Sequence, residues 1–93
     1  MDLQFERKEG SITIKEDAIS VVVSNVVKRT LDCKIKNIHY RVLGETNVIV
    51  ITFADYVKPE LLNLHTTEIE RLLAYNLNTK SLVISLISSN NEN

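Results

Sequence analysis

Tryptophan is absent, and the 93 residues include one cysteine, one proline and two glycines. Each scarcity excludes something. With Cys33 as the only cysteine, neither an internal disulfide nor a multi-cysteine metal centre is available, and such usage fits a reducing cytosol. With glycine at positions 10 and 44 alone, no phosphate-cradling loop, dinucleotide fingerprint or nucleophile elbow can be written. An excess of one charge is missing too. Eleven Lys and Arg against twelve Asp and Glu leave a net charge of −1, which steers the chain neither to nucleic acid nor to an anionic bilayer. No apolar run approaches the roughly 20 residues of a spanning helix, and residues 1–10 are charged where a signal peptide is apolar. These absences describe a soluble cytoplasmic protein with no nucleic-acid partner and no direct membrane insertion.

What is present is enough apolar material, 44% of the chain, for one hydrophobic core. Residues 1–10, with Leu3 and Phe5 as the only anchors among charges, read as a flexible lead-in, residues 11–88 as one α+β domain, and 89–93 as a disordered tail. Ile12 and Ile14 alternate with Ser11, Thr13 and Lys15 as in a half-buried strand. Ile19, Val22, Val23, Val26, Val27 and Leu31 then recur on one helical face. Valine is a weak helix former, so that helix needs a packing partner. Thr13 with Glu16, and Thr67 with Glu70, stand at capping-box spacing. Residues 36–54 read as a hairpin with a loop of about four residues, and its second strand, 48–53, is apolar on both faces. Pro59 suits the first turn of a second helix carrying Leu61, Leu62, Ile69, Leu72, Leu73 and Leu77, and a last strand covers 81–87.

The order is β-α-β-β-α-β, which predicts a two-layer sandwich: one four-stranded sheet with both helices on one face. In the usual strand order of this pattern the first and third strands are central. The uncovered face then carries Thr13, Val48, Val50 and Thr52, joined by Val83. A patch this apolar marks a surface for a protein partner.

Sites for chemistry are harder to find. His39 and His65 lack ligands at metal spacing. Cys33 stands beside Lys34, which favours the thiolate, but a lone loop cysteine is not a catalytic set. The strands that stack bases in RNA-recognition domains of this topology carry Ile12 to Ile14 and Val48 to Thr52 here, with Phe53 only at the edge, so the aromatic platform is absent. No catalytic residue, metal or cofactor is expected. The leading expectation is a non-catalytic interaction module, and the alternative is a small ligand-sensing regulatory domain of the ferredoxin-like type.

The stretch Gly10-Ser11-Ile12-Thr13-Ile14-Lys15-Glu16-Asp17-Ala18-Ile19 resembles the opening of the alkaline shock protein family of Gram-positive bacteria: a glycine, alternating isoleucines, an acidic pair and a Val-rich helix. The run from Val48 to Phe53, followed by a helix and then Ser81 to Ile87, is similar to that family's second half. Three positions depart from the pattern. Leu31-Asp32-Cys33 replaces a glycine-valine, Ala54-Asp55-Tyr56-Val57 a tyrosine-glycine, and Asn78-Thr79-Lys80 a threonine-glycine. The resemblance implies a divergent, non-enzymatic stress-response protein of the cell envelope. It would form a homo-oligomer, or be held at the inner side of the membrane by a membrane-anchored relative.

Overall fold

The computed structural model describes residues 2–7 and 10–89. Seven elements follow one another: β1 (Asp2–Arg7), β2 (Gly10–Lys15), α1 (Glu16–Thr30), β3 (Ile35–Leu43), β4 (Thr46–Phe53), α2 (Pro59–Leu77) and β5 (Leu82–Ile87). Among the described residues the fold is α+β, with two helices and with sheets of two and three strands.

The lead-in is corrected by the first of these elements. Asp2–Arg7 pairs antiparallel with Gly10–Lys15, setting Leu3 opposite Ile14 and Phe5 opposite Ile12. Leu3 and Phe5 are both buried in the main core. Two large side chains at alternate positions are enough to make a strand of a segment that is otherwise polar, since full burial of each stabilises by about 1.5–3 kcal/mol.

The single four-stranded sheet is also corrected. β4 pairs antiparallel with β3 on one side and parallel with β5 on the other, Ile49 lying beside Ile84. Both edges of β4 are thereby occupied, so β2 cannot enter between β4 and β5. β1 satisfies the backbone of β2 instead. The resulting hairpin lies across the start of β4, where the Asn47 Nδ2 donates to the Gln4 carbonyl at 2.6 Å.

Along β4 burial alternates strictly, Asn47, Ile49, Ile51 and Phe53 facing inward. Leu82 and Ile84 of β5 share that inner face and meet Ile69, Leu73 and Leu77 of α2. The valine-rich α1 buries Ile19, Val23, Val26 and Val27 and packs chiefly on α2, while its Ser20 hydroxyl bonds the Tyr40 hydroxyl of β3 at 2.7 Å. Burial of these positions in the core shared with the sheets and α2 thus overrides the weak helical propensity of valine.

Local signals fare unevenly. α1 begins after Lys15 without a side-chain cap, so Thr13 does not close a capping box, and α2 runs unbroken through Thr67. Acidic Glu16 and Asp17 at the start of α1 and basic Lys28 and Arg29 at its end still match the helix dipole. The β3–β4 loop is two residues, tighter than expected, because Gly44 adopts φ +62° and Leu43 already pairs with Thr46. Asn78 ends α2 in the left-handed conformation, φ 52° and ψ 51°, a geometry asparagine tolerates better than most residues. Of the expected tail, Ser89 donates its N–H to the Asp55 carbonyl at 3.3 Å, and just before it Ser88, the last residue of the expected domain, accepts from the Val57 N–H at 2.7 Å. Residues 90–93 lie outside the described residues.

Candidate protein-interaction face

The face of the β3-β4-β5 sheet turned away from the helices is built by strand alternation alone. Because Ile49 and Ile51 point into the core, Val48, Val50 and Thr52 must point out. Cross-strand register then aligns three rows: Arg41, Val48 and Val83; His39, Val50 and Ser85; Asn37, Thr52 and Ile87. The structure therefore brings four of the anticipated surface residues together, Val48, Val50, Thr52 and Val83. Thr13 is not among them. It is exposed on the hairpin, paired with Gln4 in the other sheet.

The face has an apolar band along β4 and β5 and a polar border on β3. Val83 and Ile87 are each 45% exposed, while Val48 and Val50 are half-buried by their neighbours. His39, Tyr40, Arg41, Val50, Ser85 and Ile87 line a shallow depression. Ile87, Ser85 and the β3 residues were not anticipated as a set. The outward alternation of His39 and Arg41 is visible in sequence, but their placement beside Val50 depends on the pairing register, which it does not encode locally.

The strand edges are less suited to association than the face. In the parallel ladder the Asn47 N–H donates to the Ser81 carbonyl, so residues 81, 83, 85 and 87 turn their backbone toward β4 and the N–H of Ile84 points outward. There Glu70 of α2 accepts it at 3.0 Å. A carboxylate on the middle of an edge strand blocks addition of another strand. β3 is bulged against β4 between Ile35 and Asn37 and carries the charged Lys36 there, both of which discourage pairing on its outer edge.

Elsewhere the chemistry is sparse. Among the described residues no three His, Cys, Asp or Glu side chains converge as metal ligands. His65 Nδ1 lies 3.9 Å from the Glu68 carboxylate one turn away on α2. Cys33 borders a shallow depression with Ser24, Lys28, Asp32, Lys34 and Ile35. Contrary to the expectation from the adjacent lysine, burial pushes its thiol up, and the negative charges of Asp55 and Asp32 add to the effect. Alkylation of Cys33 by iodoacetamide at pH 7 should accordingly be slower than that of free cysteine, accelerating only above the ordinary thiol range of about 8.5. A rate at pH 7 equal to or above that of free cysteine would contradict this assignment.

Among the described residues no helix is long and apolar enough to cross a membrane. Comparisons with protein-family models, with curated proteins and with solved structures returned no match to this chain.

Proposed function

We propose that this chain is a non-catalytic interaction module of the alkaline-shock type, binding a protein partner through the open face of its three-stranded sheet. The observation that supports this reading is the uncovered apolar band of Val48, Val50, Val83 and Ile87 beside the polar row Asn37, His39 and Arg41. Such a band is drier than a solvated sheet face requires, and its polar border gives a partner orientation. The partner consistent with the sequence resemblance is a membrane-anchored relative that holds the protein at the inner side of the envelope.

Val50→Glu places a charge at the centre of the band while leaving the inner face untouched. The variant should remain folded by circular dichroism and lose capture of the wild-type partner from host lysate. Undiminished capture by a folded Val50→Glu protein would refute the sheet-face reading.

A further inference from the structure

The helix layer carries a second uncovered surface, on the side of α2 opposite its core stripe. Ile69, Leu73 and Leu77 are buried. At about 100° per residue, Leu64, Glu68, Arg71 and Tyr75 fall within roughly 60° of arc on the far side. All four are exposed, and Leu64 at 68% and Tyr75 at 82% are the most exposed large apolar side chains among the described residues. Neither packing nor helix propensity calls for an aromatic ring in water at the last turn of α2.

The order of the four residues is what identifies an occupant. Leu64 and Tyr75 lie symmetrically about the point between residues 69 and 70, and so do Glu68 and Arg71. An antiparallel copy of the same helix, related by a two-fold axis through that point, sets Leu64 against the partner's Tyr75 and Glu68 against the partner's Arg71. Both contacts occur twice. This self-complementarity is the requirement of an isologous interface, in which one patch must match itself. Arg71 has no ion-pair partner among the described residues, and Glu68 has only the distant His65 ring.

We infer that a second copy of this chain packs antiparallel along α2, with Leu64 and Tyr75 as the apolar contacts and reciprocal Glu68–Arg71 ion pairs at the centre. The inference goes beyond the proposed function, because it uses the opposite side of the molecule. The dimer leaves both sheet faces free and presents them as two docking surfaces, so that binding to a clustered partner gains avidity. A single helix about 28 Å long buries little area, so the dimer belongs to the weak class, with Kd expected at about 10–500 µM.

Charge exchange tests the pairing. Sedimentation equilibrium of the full chain, at concentrations up to about 1 mM, should show a monomer–dimer equilibrium. Glu68→Arg alone, or Arg71→Glu alone, sets like charges together twice in each dimer and should weaken association at least tenfold. The combined Glu68→Arg, Arg71→Glu protein restores opposite charges and should recover dimerisation. Leu64→Gln should weaken it independently. These positions are solvent-exposed, so circular dichroism should show all variants folded.

A monomeric wild type at 1 mM overturns the inference, as does a dimer indifferent to the single reversals or one that the combined exchange fails to restore. Val50→Glu separates the two surfaces. It should leave the α2 dimer intact while abolishing partner capture, and a dimer that Val50→Glu breaks but the α2 reversals do not would assign self-association to the sheet face instead.

Discussion

Phe5→Ala is expected to destabilise the protein by about 3–5 kcal/mol, measured by urea unfolding, a large share of the 5–15 kcal/mol typical of a domain. Phe5 is 0% exposed and belongs to the same cluster as Ile49, Ile51, Phe53 and Leu73. Truncation removes a ring's worth of burial and leaves a cavity between the hairpin and the rest of the core, which the paired backbone of β1 and β2 cannot easily collapse to fill. Thr13→Ala is the control. Its side chain is exposed on the same hairpin, so its cost should stay within about 0.5 kcal/mol. Were β1 only a lead-in, both substitutions would be nearly silent. A Phe5→Ala cost below about 1 kcal/mol would remove β1 from the core.

Asn47→Asp should be the other severe change, and it should depend on pH. Asn47 is 1% exposed at the inner face of β4, its Nδ2 donating to the Gln4 carbonyl, and its Oδ1 is buried without a hydrogen-bond partner among the described residues. An ionised aspartate there has no donor, and it turns negative oxygen toward the Gln4 carbonyl in a dry site. Both desolvation and repulsion disfavour the charged form, so the folded-state pKa of the new carboxyl rises above its unfolded value of about 3.9.

The native state then holds the proton more tightly than the unfolded chain. The penalty is absent below the unfolded pKa, grows as pH rises toward the raised folded value, and levels off above it. At pH 7 the loss should be about 3–5 kcal/mol, and it should largely disappear near pH 3, where the protonated acid can donate to Gln4. Comparing each variant with wild type at the same pH isolates this effect. Asn47→Ala supplies the reference: it loses the hydrogen bond, at about 1–3 kcal/mol, without a new titrating group. An Asn47→Asp deficit that is the same at pH 3 and pH 7 would show that the carboxylate reaches solvent or a donor.

The two substitutions concern residues whose importance is unevenly visible in sequence. Phe5 stands among Asp2, Glu6, Arg7, Lys8 and Glu9, and that local polarity masks the alternation of Leu3 and Phe5, which is too short to distinguish a strand from an apolar pair in a flexible segment. Asn47 reads as a turn residue because it follows Gly44, Glu45 and Thr46. Only the tight two-residue hairpin, permitted by the positive φ of Gly44, moves it into β4. Glu70 presents the same difficulty. Its spacing from Thr67 suggests a cap within the helix, yet its carboxylate reaches fourteen residues along the chain to Ile84.

The interaction face was legible to the extent that period-2 alternation determines it. Val48, Val50 and Thr52 can share one side of a strand whatever the strand pairs with, and Val83 joins them because β5 runs beside β4 in the observed register. Thr13 joins them only in a sheet with β2 beside β4, and strand order is a non-local property. The stripe on α2 is the reverse case. Leu64, Glu68, Arg71 and Tyr75 can be placed on a helical wheel from the sequence, but the stripe becomes informative only once Ile69 and Leu73 are known to face the core and Leu64 and Tyr75 to stand exposed on the other side.

By itself, then, the sequence determined the two helices and the places along the chain of β2, β3, β4 and β5, since the periods of 3.6 and 2 are set within a few residues by backbone geometry. It also determined which side chains stand back to back across β4. Tertiary structure alone decided that β1 exists, that β4 pairs with β5 rather than β2, and that the strands form two sheets. The reason is that hydrogen-bonding edges are alike to any strand, and which edge a strand takes depends on how the whole chain buries its apolar faces together.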